Sequence, residues 1–398
     1  AAQAPDLAGV LWAGERRAVG VTRAESLDDV LCGPRRAPAE PGLIDYDLCA
    51  IIYTSGSTGQ PKGVMLTHRN IVNTAWSIST YLGNAPEDVV ICVLPLSFGY
   101  GLFQVVTGAR VGYTVVLEKS FAFPWDIVRR IAEERVTGLP GVPTIFARLI
   151  QMAPFEGLDL GCLRYMTNAA AALPAPHIRR LGELFPDARI ISMYGQTECT
   201  RVSWLPPERL AEKAGSVGRA IPNSEVWVAD DDGARLPPGE VGELVIRGAH
   251  VMRGYWGKPA ETARVLRDGA IQGEKVLYSG DLFRMDAEGF LYFVGRRDDV
   301  FKCRGEKVSP KEIEDILYEL EEVAEAAVIG VEHPVDGMAP KAFVAPRRPG
   351  ALTEDDLRRH CRARLEPHLV PRFFELVPEL PKTDTGKIRK ASLREPPA

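Results

Sequence analysis

The sequence predicts an α/β chain: a layered α/β large domain with a β-rich subdomain, followed by a small α+β C-terminal domain. Three observations predict it. Apolar strand-like runs alternate with amphipathic helical stretches up to about Pro206. The texture then changes to short strands with Gly- and Asp-rich turns, and it shifts again near "GRRDDVFKCRGEKVSP".

In chain order, residues 1–45 are rich in Ala, Pro and Arg and read as the tail of something larger. "LCAIIYT" reads as a buried strand, followed by a Gly-rich loop and a helical stretch from about Thr67 to Leu82. Strand-like runs recur at "VVICVLP", "YTVVLE" and "ARIISMYG", with helical segments such as "PWDIVRRIAEER" between them, which implies parallel layers. Beyond Pro206, "EVWVADDDGARLPPGEVGELVIRG" reads as a hairpin around Asp-Gly, followed by the strand "GFLYFVG". A helix (about 310–321), a strand (324–331) and a polar helix (354–365) complete the chain. The expected domains are therefore 1–297, with the β-rich part at about 206–297, and 298–398.

Composition narrows the function. The 398 residues are 45% hydrophobic and 25% charged, as in ordinary globular proteins. A formal net charge of −5 offers no broad basic surface, so nucleic acid is not an expected partner. No apolar run approaches the ~18 residues of a membrane span. Seven scattered cysteines without a C-x-x-C pair fit reduced thiols in the cytoplasm better than a zinc site or a disulfide framework.

The densest chemistry lies at 53–64, "YTSGSTGQPKGV". A Walker A loop places its lysine directly after glycine, where a helix opens. Here Lys62 follows Pro61, and Gly63 begins an apolar stretch, so the backbone geometry differs. Phosphate binding still fits: Gly56 and Gly59 allow close backbone approach, Thr54, Ser55, Ser57 and Thr58 offer hydroxyls, and Lys62 brings charge. A solvated Gly/Ser turn is the other reading.

This loop resembles the signature of the adenylate-forming superfamily: AMP-forming acyl-CoA synthetases, adenylation domains of non-ribosomal peptide synthetases, and luciferases. "MYGQTE" (193–198), "YSGDLFRMDAEGFLYFVGR" (278–296), "KCRGEKVSPKEIE" (302–314) and "LPKTDTGKIRK" (380–390) are similar to further family motifs and follow in family order. Such enzymes join a carboxylic acid to the α-phosphate of ATP, release pyrophosphate, and pass the acyl group to a thiol.

The resemblance implies roles residue by residue. Thr54, Ser55, Gly56, Ser57, Thr58, Gly59 and Lys62 would hold the β- and γ-phosphates. Thr197 would meet the α-phosphate, and Glu198 would ligate Mg²⁺, a hard cation suited to carboxylate oxygen. Tyr194 looks like the aromatic packed against adenine, with Ala170 and Ala171 in the small-residue adenine segment. Asp281 resembles the acceptor of ribose hydroxyls and Arg296 its ribose and phosphate partner; a structural salt bridge is the alternative for both. Ser279 stands where the family commonly has Thr. Lys387 resembles the lysine that reaches the acid's carboxylate and the α-phosphate. Gly305 would leave room for a pantetheine arm, Lys307 would meet phosphate, and Asp298 matches the hinge position.

The acid is read from "LPLSFGYG". Adenylation domains for amino acids carry an acidic residue where Gly99 stands, and a buried ammonium without a counter-charge is costly, so an α-amino acid is disfavoured. Phe98, Gly99, Gly101 and Asn168 imply an uncharged, largely apolar acid, fatty or aryl, though Phe98 fits the core equally well. The implied cofactors are ATP, Mg²⁺, and either CoA or the phosphopantetheine of an acyl carrier protein. A luciferase-like oxygenase and a non-catalytic scaffold retaining the fold are more remote readings. Family members usually carry a far longer stretch before the Gly-rich loop than the 53 residues that precede Thr54 here. The expectation is that the chain is a fragment or that another polypeptide completes it.

Overall fold

The structure, a computed structural model, describes residues 10–12, 24–26, 32–33, 42–54, 61–169, 173–382 and 388–394. Residues 1–44 form one compact unit and 45–398 another. The first contains a short parallel pair, β1 (Val10–Trp12) and β2 (Ala24–Ser26).

In the second unit, β3 (Leu48–Thr54) pairs antiparallel with β4 (Lys62–Thr67), so the Gly-rich segment joins two strands of one hairpin. This corrects the expectation of a buried strand: only Ile52 of β3 is buried, at 6% exposure, because β3 is the outer strand of a small sheet and not part of the parallel core. Helix α1 (His68–Leu82) starts at a capping box: the Thr67 side chain accepts from the Asn70 amide while Asn70 accepts from the Thr67 amide. Asn70 Nδ2 also donates to the carbonyls of Ala249 and Val251 at 2.7 and 2.8 Å. One helix start is thereby tied to a segment some 180 residues downstream that proves to carry part of the site.

The parallel core follows: β5 (Val89–Cys92), α2 (Gly99–Val111), β6 (Thr114–Leu117), α3 (Pro124–Glu133), β7 (Gly138–Gly141), α4 (Pro143–Met152), β8 (Tyr165–Asn168), α5 (Ala175–Leu184) and β9 (Arg189–Tyr194). With the short antiparallel strands β10 (Ser203–Trp204) and β11 (Arg219–Ala220), they form a seven-stranded sheet ordered β11-β10-β9-β8-β7-β5-β6. Alternate residues serve opposite faces: Val90, Tyr165 and Ile191 enter one core, Ile91, Met166 and Ile190 the other. Both faces are covered, as a parallel sheet requires.

The β-rich part contains β12 (Ser224–Ala229), β13 (Val241–Gly248), β14 (Gly254–Tyr255), α6 (Pro259–Val265), β15 (Leu266–Asp268), β16 (Lys275–Met285) and β17 (Leu291–Arg296). The Asp232-Gly233 turn lies in the β12–β13 connection, as expected. Strand β14 leaves this sheet to pair with β4, completing the three-stranded sheet β14-β4-β3.

The C-terminal part has its own sheet, built from β18 (Phe301–Cys303), β19 (Glu306–Val308), β20 (Val323–His333), β21 (Gly337–Pro346) and β22 (Phe373–Leu376). Helices α7 (Pro310–Leu317) and α8 (Glu354–Arg364) pack on it over Val308, Ile313, Leu317, Leu357 and Cys361. Helix α7 is shorter than predicted, ending at Leu317 with a tightened last turn at Tyr318. Its preceding residue Ser309 donates a hydrogen bond to the Val294 carbonyl of β17 at 2.7 Å. Among the described residues no helix is long and apolar enough to cross a membrane.

Candidate active site

Strand pairing gathers the motif residues. In the β3–β4 hairpin Thr54 sits opposite Lys62, so these two flank the Gly-rich segment; Ser55, Gly56, Ser57, Thr58 and Gly59 lie outside the described residues. Strand β14 places Tyr255 opposite Val64, on the diagonal from Lys62. The Lys62 ammonium lies 5.2 Å from the centroid of the Tyr255 ring. The Tyr255 hydroxyl donates to Glu198 Oε1 at 2.7 Å, while the Met252 amide donates to the Glu198 carbonyl at 2.8 Å. Burial first, and then the Glu198 carboxylate, push the Tyr255 phenol far above its ordinary value, so it remains a donor at any working pH.

Glu198 and Thr197 lie in the turn after β9. That turn closes on itself: Val202 donates to the Tyr194 carbonyl at 2.9 Å, and Thr200 takes a left-handed φ of 59°. Both Thr197 and Glu198 are half-buried.

A second cluster abuts the first. Asp281 on β16 is in register with Arg296 on β17, and Arg296 Nε lies 3.1 Å from Asp281 Oδ1. The Tyr194 hydroxyl donates to Asp281 Oδ2 at 2.6 Å, and its ring meets Phe283 edge-on with centroids 4.8 Å apart. Burial, reinforced by Asp281, raises the Tyr194 phenol well above its ordinary value. The Asp281 charge, with lesser contributions from Tyr194 and Glu198, raises Arg296, so this guanidinium feels both clusters. Asp281 is 3% exposed and carries the salt bridge weighed as the alternative for it. A carboxylate has about four lone-pair sites, so the pairing leaves capacity for hydroxyl donors. Ser279 Oγ accepts from the Asp281 amide at 3.1 Å, a contact that needs only the hydroxyl shared by Ser and Thr.

The segments expected to line the acid pocket also meet. Phe98 is the half-buried N-cap of α2, and Gly99 faces Thr200, whose methyl would lie 3.9 Å from a Cβ added there. Gly101 has a packing reason of its own: a Cβ would press on the Leu94 carbonyl oxygen at 2.8 Å. Asn168 ends β8 and is buried. Ala170 and Ala171 lie outside the described residues.

The C-terminal candidates follow β17 in the chain. Gly305 and Lys307 belong to the β18–β19 hairpin, whose turn residues Arg304 and Gly305 have φ of 55° and 89°. Two positive φ values define the primed turn that matches strand twist, so Gly305 has a local reason to be glycine independent of any pantetheine arm. Arg304 anchors the turn on buried Asp336 at 2.7 Å. Asp298 is exposed in a short 3₁₀ turn directly after β17. Lys387 lies outside the described residues; Lys382 and Ile388, which are described, pair in an antiparallel bridge.

Glu198 suits Mg²⁺. The ion takes one or two protein carboxylates and completes its shell with water and substrate phosphates. A single half-buried carboxylate beside the Thr197 hydroxyl, oriented by Tyr255, fits that habit, and no cluster of three or more ligating His, Cys, Asp or Glu occurs among the described residues.

Two residues of this region escaped the sequence reading. Tyr255 had a visible signal, the Gly-Tyr-Trp run after a predicted hairpin. Arg201 had another, a lone cation in "CTRVSWL" four residues past Thr197.

The chain belongs to the AMP-binding enzyme family: the family model matches residues 10–256, and the model of the family's C-terminal domain matches 312–387. A long-chain-fatty-acid–CoA ligase of Bacillus subtilis is 33% identical over 355 residues, covering 88% of this chain and 62% of that protein. A feruloyl-CoA synthase of an Amycolatopsis species is 36% identical over 350 residues, covering 87% and 70%. ATP-bound MatB from Rhodopseudomonas palustris superposes with a TM-score of 0.84 at 29% identity, covering 94% of this chain and 74% of that one. The chain thus spans less than two-thirds of the length of the Bacillus subtilis ligase.

Proposed function

We propose that this protein activates a carboxylic acid with ATP, forming an acyl-adenylate and pyrophosphate, and then transfers the acyl group to the thiol of CoA. The observation that carries the reading is the convergence of Lys62, Tyr255 and Glu198 with Tyr194, Asp281 and Arg296, at the ends of β4, β9, β14 and β17 and within β16. The names of the fatty-acid and feruloyl relatives support it.

In the first step a carboxylate oxygen bonds to the α-phosphorus, and the bond from that phosphorus to the bridging oxygen breaks, releasing pyrophosphate. In the second, the thiol sulfur bonds to the acyl carbon, AMP leaves with the anhydride oxygen, and the thiol proton passes to solvent. Neither step needs a protein nucleophile; both need placed charges. Lys62 and the Gly-rich segment hold the leaving phosphates, Thr197 donates to the α-phosphate, and Asp281 and Arg296 seat the ribose beside Tyr194. Glu198 would hold Mg²⁺, whose charge neutralises the phosphates. Lys387 supplies a cation to the developing charge at the α-phosphate. The boundary at Asp298 lets the small domain present Lys387 first and the Gly305–Lys307 hairpin second. The cytoplasm is the compartment this reading implies.

The test is a panel of fatty and aryl acids followed by pyrophosphate release, with free CoA, a holo carrier protein, or neither. Acid-dependent pyrophosphate that continues catalytically with CoA supports the reading. A carrier-only thioester moves the acceptor to a carrier protein, and acid-independent ATP hydrolysis overturns the proposal. Adding the N-terminal portion of a longer relative as a separate polypeptide tests the expected partner: a rise in turnover supports it.

A further inference from the structure

Arg201 is only 2% exposed, yet among the described residues no carboxylate pairs with it. Among the described residues its Nε has no hydrogen-bond partner. Its guanidinium lies 4.9 Å from the ring centroid of Tyr100. A cation–π contact returns only part of what a guanidinium loses on leaving water, so among the described residues this buried charge is only partly compensated.

The place of that charge is informative. The Tyr100 hydroxyl lies 2.8 Å from the Thr167 carbonyl and 2.7 Å from its Oγ1. Tyr100 therefore ties the Phe98–Gly101 segment to Thr167–Asn168, the two stretches that line the inferred acid pocket. Arg201 stacks on that tie, one residue beyond Thr200, which faces Gly99. Tyr81 and Cys199 are close enough to feel its charge. The arginine thus sits beside the inferred pocket, three residues past Glu198 in the turn that Val202 closes on Tyr194.

We propose that Arg201 is a specificity-determining residue that pairs with a second carboxylate, carried by the acid at the end remote from the reacting one. This rests on the ligase reading and revises one part of it: the substrate keeps an apolar stem and no α-ammonium, but is anionic at its far end. A planar guanidinium matches a carboxylate bidentately, and a counter-charge delivered by substrate removes the desolvation deficit only when the right acid is bound.

The experiment compares three acids of matched length across a series of lengths, including aryl stems: the dicarboxylate, its distal monomethyl ester, and the methyl-ended monoacid. AMP formation and ligand-induced thermal shift are read for wild type, Arg201→Met and Arg201→Lys. Wild type should favour the dicarboxylate in kcat/KM by about 100-fold over the monoacid, as expected for a site built around a buried charge. Arg201→Met should erase that ranking and the dicarboxylate's thermal shift, and should melt no lower than wild type without ligand. Arg201→Lys should keep part of the preference, since the charge remains without the fork. A wild-type preference for the ester or the monoacid overturns the proposal, whether or not Arg201→Met folds, as does a ranking unchanged in Arg201→Met. AMP formation from no acid overturns the ligase reading instead, and the thermal shifts still judge Arg201.

Discussion

Removing one oxygen tests whether the Glu198 carboxylate is held in place for catalysis. Tyr255→Phe deletes the hydroxyl that donates to Glu198 Oε1 at 2.7 Å and leaves the ring beneath Lys62. Tyr255 is 5% exposed, so water does not readily replace the lost donor. A hydrogen bond to a charged group contributes about 1.5–3 kcal/mol. At a factor of ten per ~1.4 kcal/mol, the loss corresponds to roughly 10- to 150-fold in kcat/KM if the bond is fully used in the transition state. Partners that orient a metal's carboxylate typically matter by about 10–100-fold in metal affinity or activity, the same range. The assay is acid-dependent pyrophosphate release titrated with Mg²⁺ at saturating ATP. The half-saturating Mg²⁺ concentration should rise and kcat fall together, with the melting temperature moving only by the loss of one hydrogen bond. A variant with wild-type Mg²⁺ dependence and a lowered melting temperature would show that the bond is structural and refute the reasoning.

Glu198→Gln keeps the shape and removes the charge; adenylation should weaken and demand more Mg²⁺ while circular dichroism stays unchanged. Lys387→Ala should slow adenylation about 10²–10³-fold, as loss of a charge-stabilising contact does, yet leave thioester formation from synthetic acyl-adenylate and CoA intact. Asp298→Pro should do the reverse, because a fixed φ blocks the turn between poses; equal loss of both half-reactions in Lys387→Ala would contradict domain alternation. His250 is fully buried, and burial lowers its pKa to about 4. A depressed folded pKa makes stability present above the unfolded value near 6.5 and lost as pH falls toward 4, about 2 kcal/mol of it by pH 5. Urea midpoints at pH 7.5 and 5 should show that loss in wild type and much less of it in His250→Gln.

The sequence made the candidate site residues legible more readily than the contacts that join them. Asp281, Arg296, Tyr194 and Glu198 sit in short motifs whose residue types carry the chemistry, and the parallel core showed itself as apolar runs between amphipathic helices. The Tyr255–Glu198 bond joins residues 57 apart, and no local period encodes such a pair. The run "LCAIIYT" misled because apolarity alone does not separate a core strand from one in a small peripheral sheet; β3 keeps only Ile52 buried. Gly305 shows a glycine with a second, local reason to be there. A motif suggested a ligand-facing glycine, while the structure shows a two-residue turn that demands positive φ whatever binds nearby. Arg201 was overlooked because a lone cation in an apolar run reads as surface until its burial is known.

The most direct test of the account follows oxygen. An acid labelled with heavy oxygen in its carboxylate is turned over with ATP, Mg²⁺ and CoA, and the nucleotide product is weighed by mass spectrometry. AMP should carry one heavy oxygen, because the carboxylate oxygen bonded to the α-phosphorus leaves with AMP when the thiol takes the acyl group. Unlabelled AMP, or ADP with the label in inorganic phosphate, would contradict it.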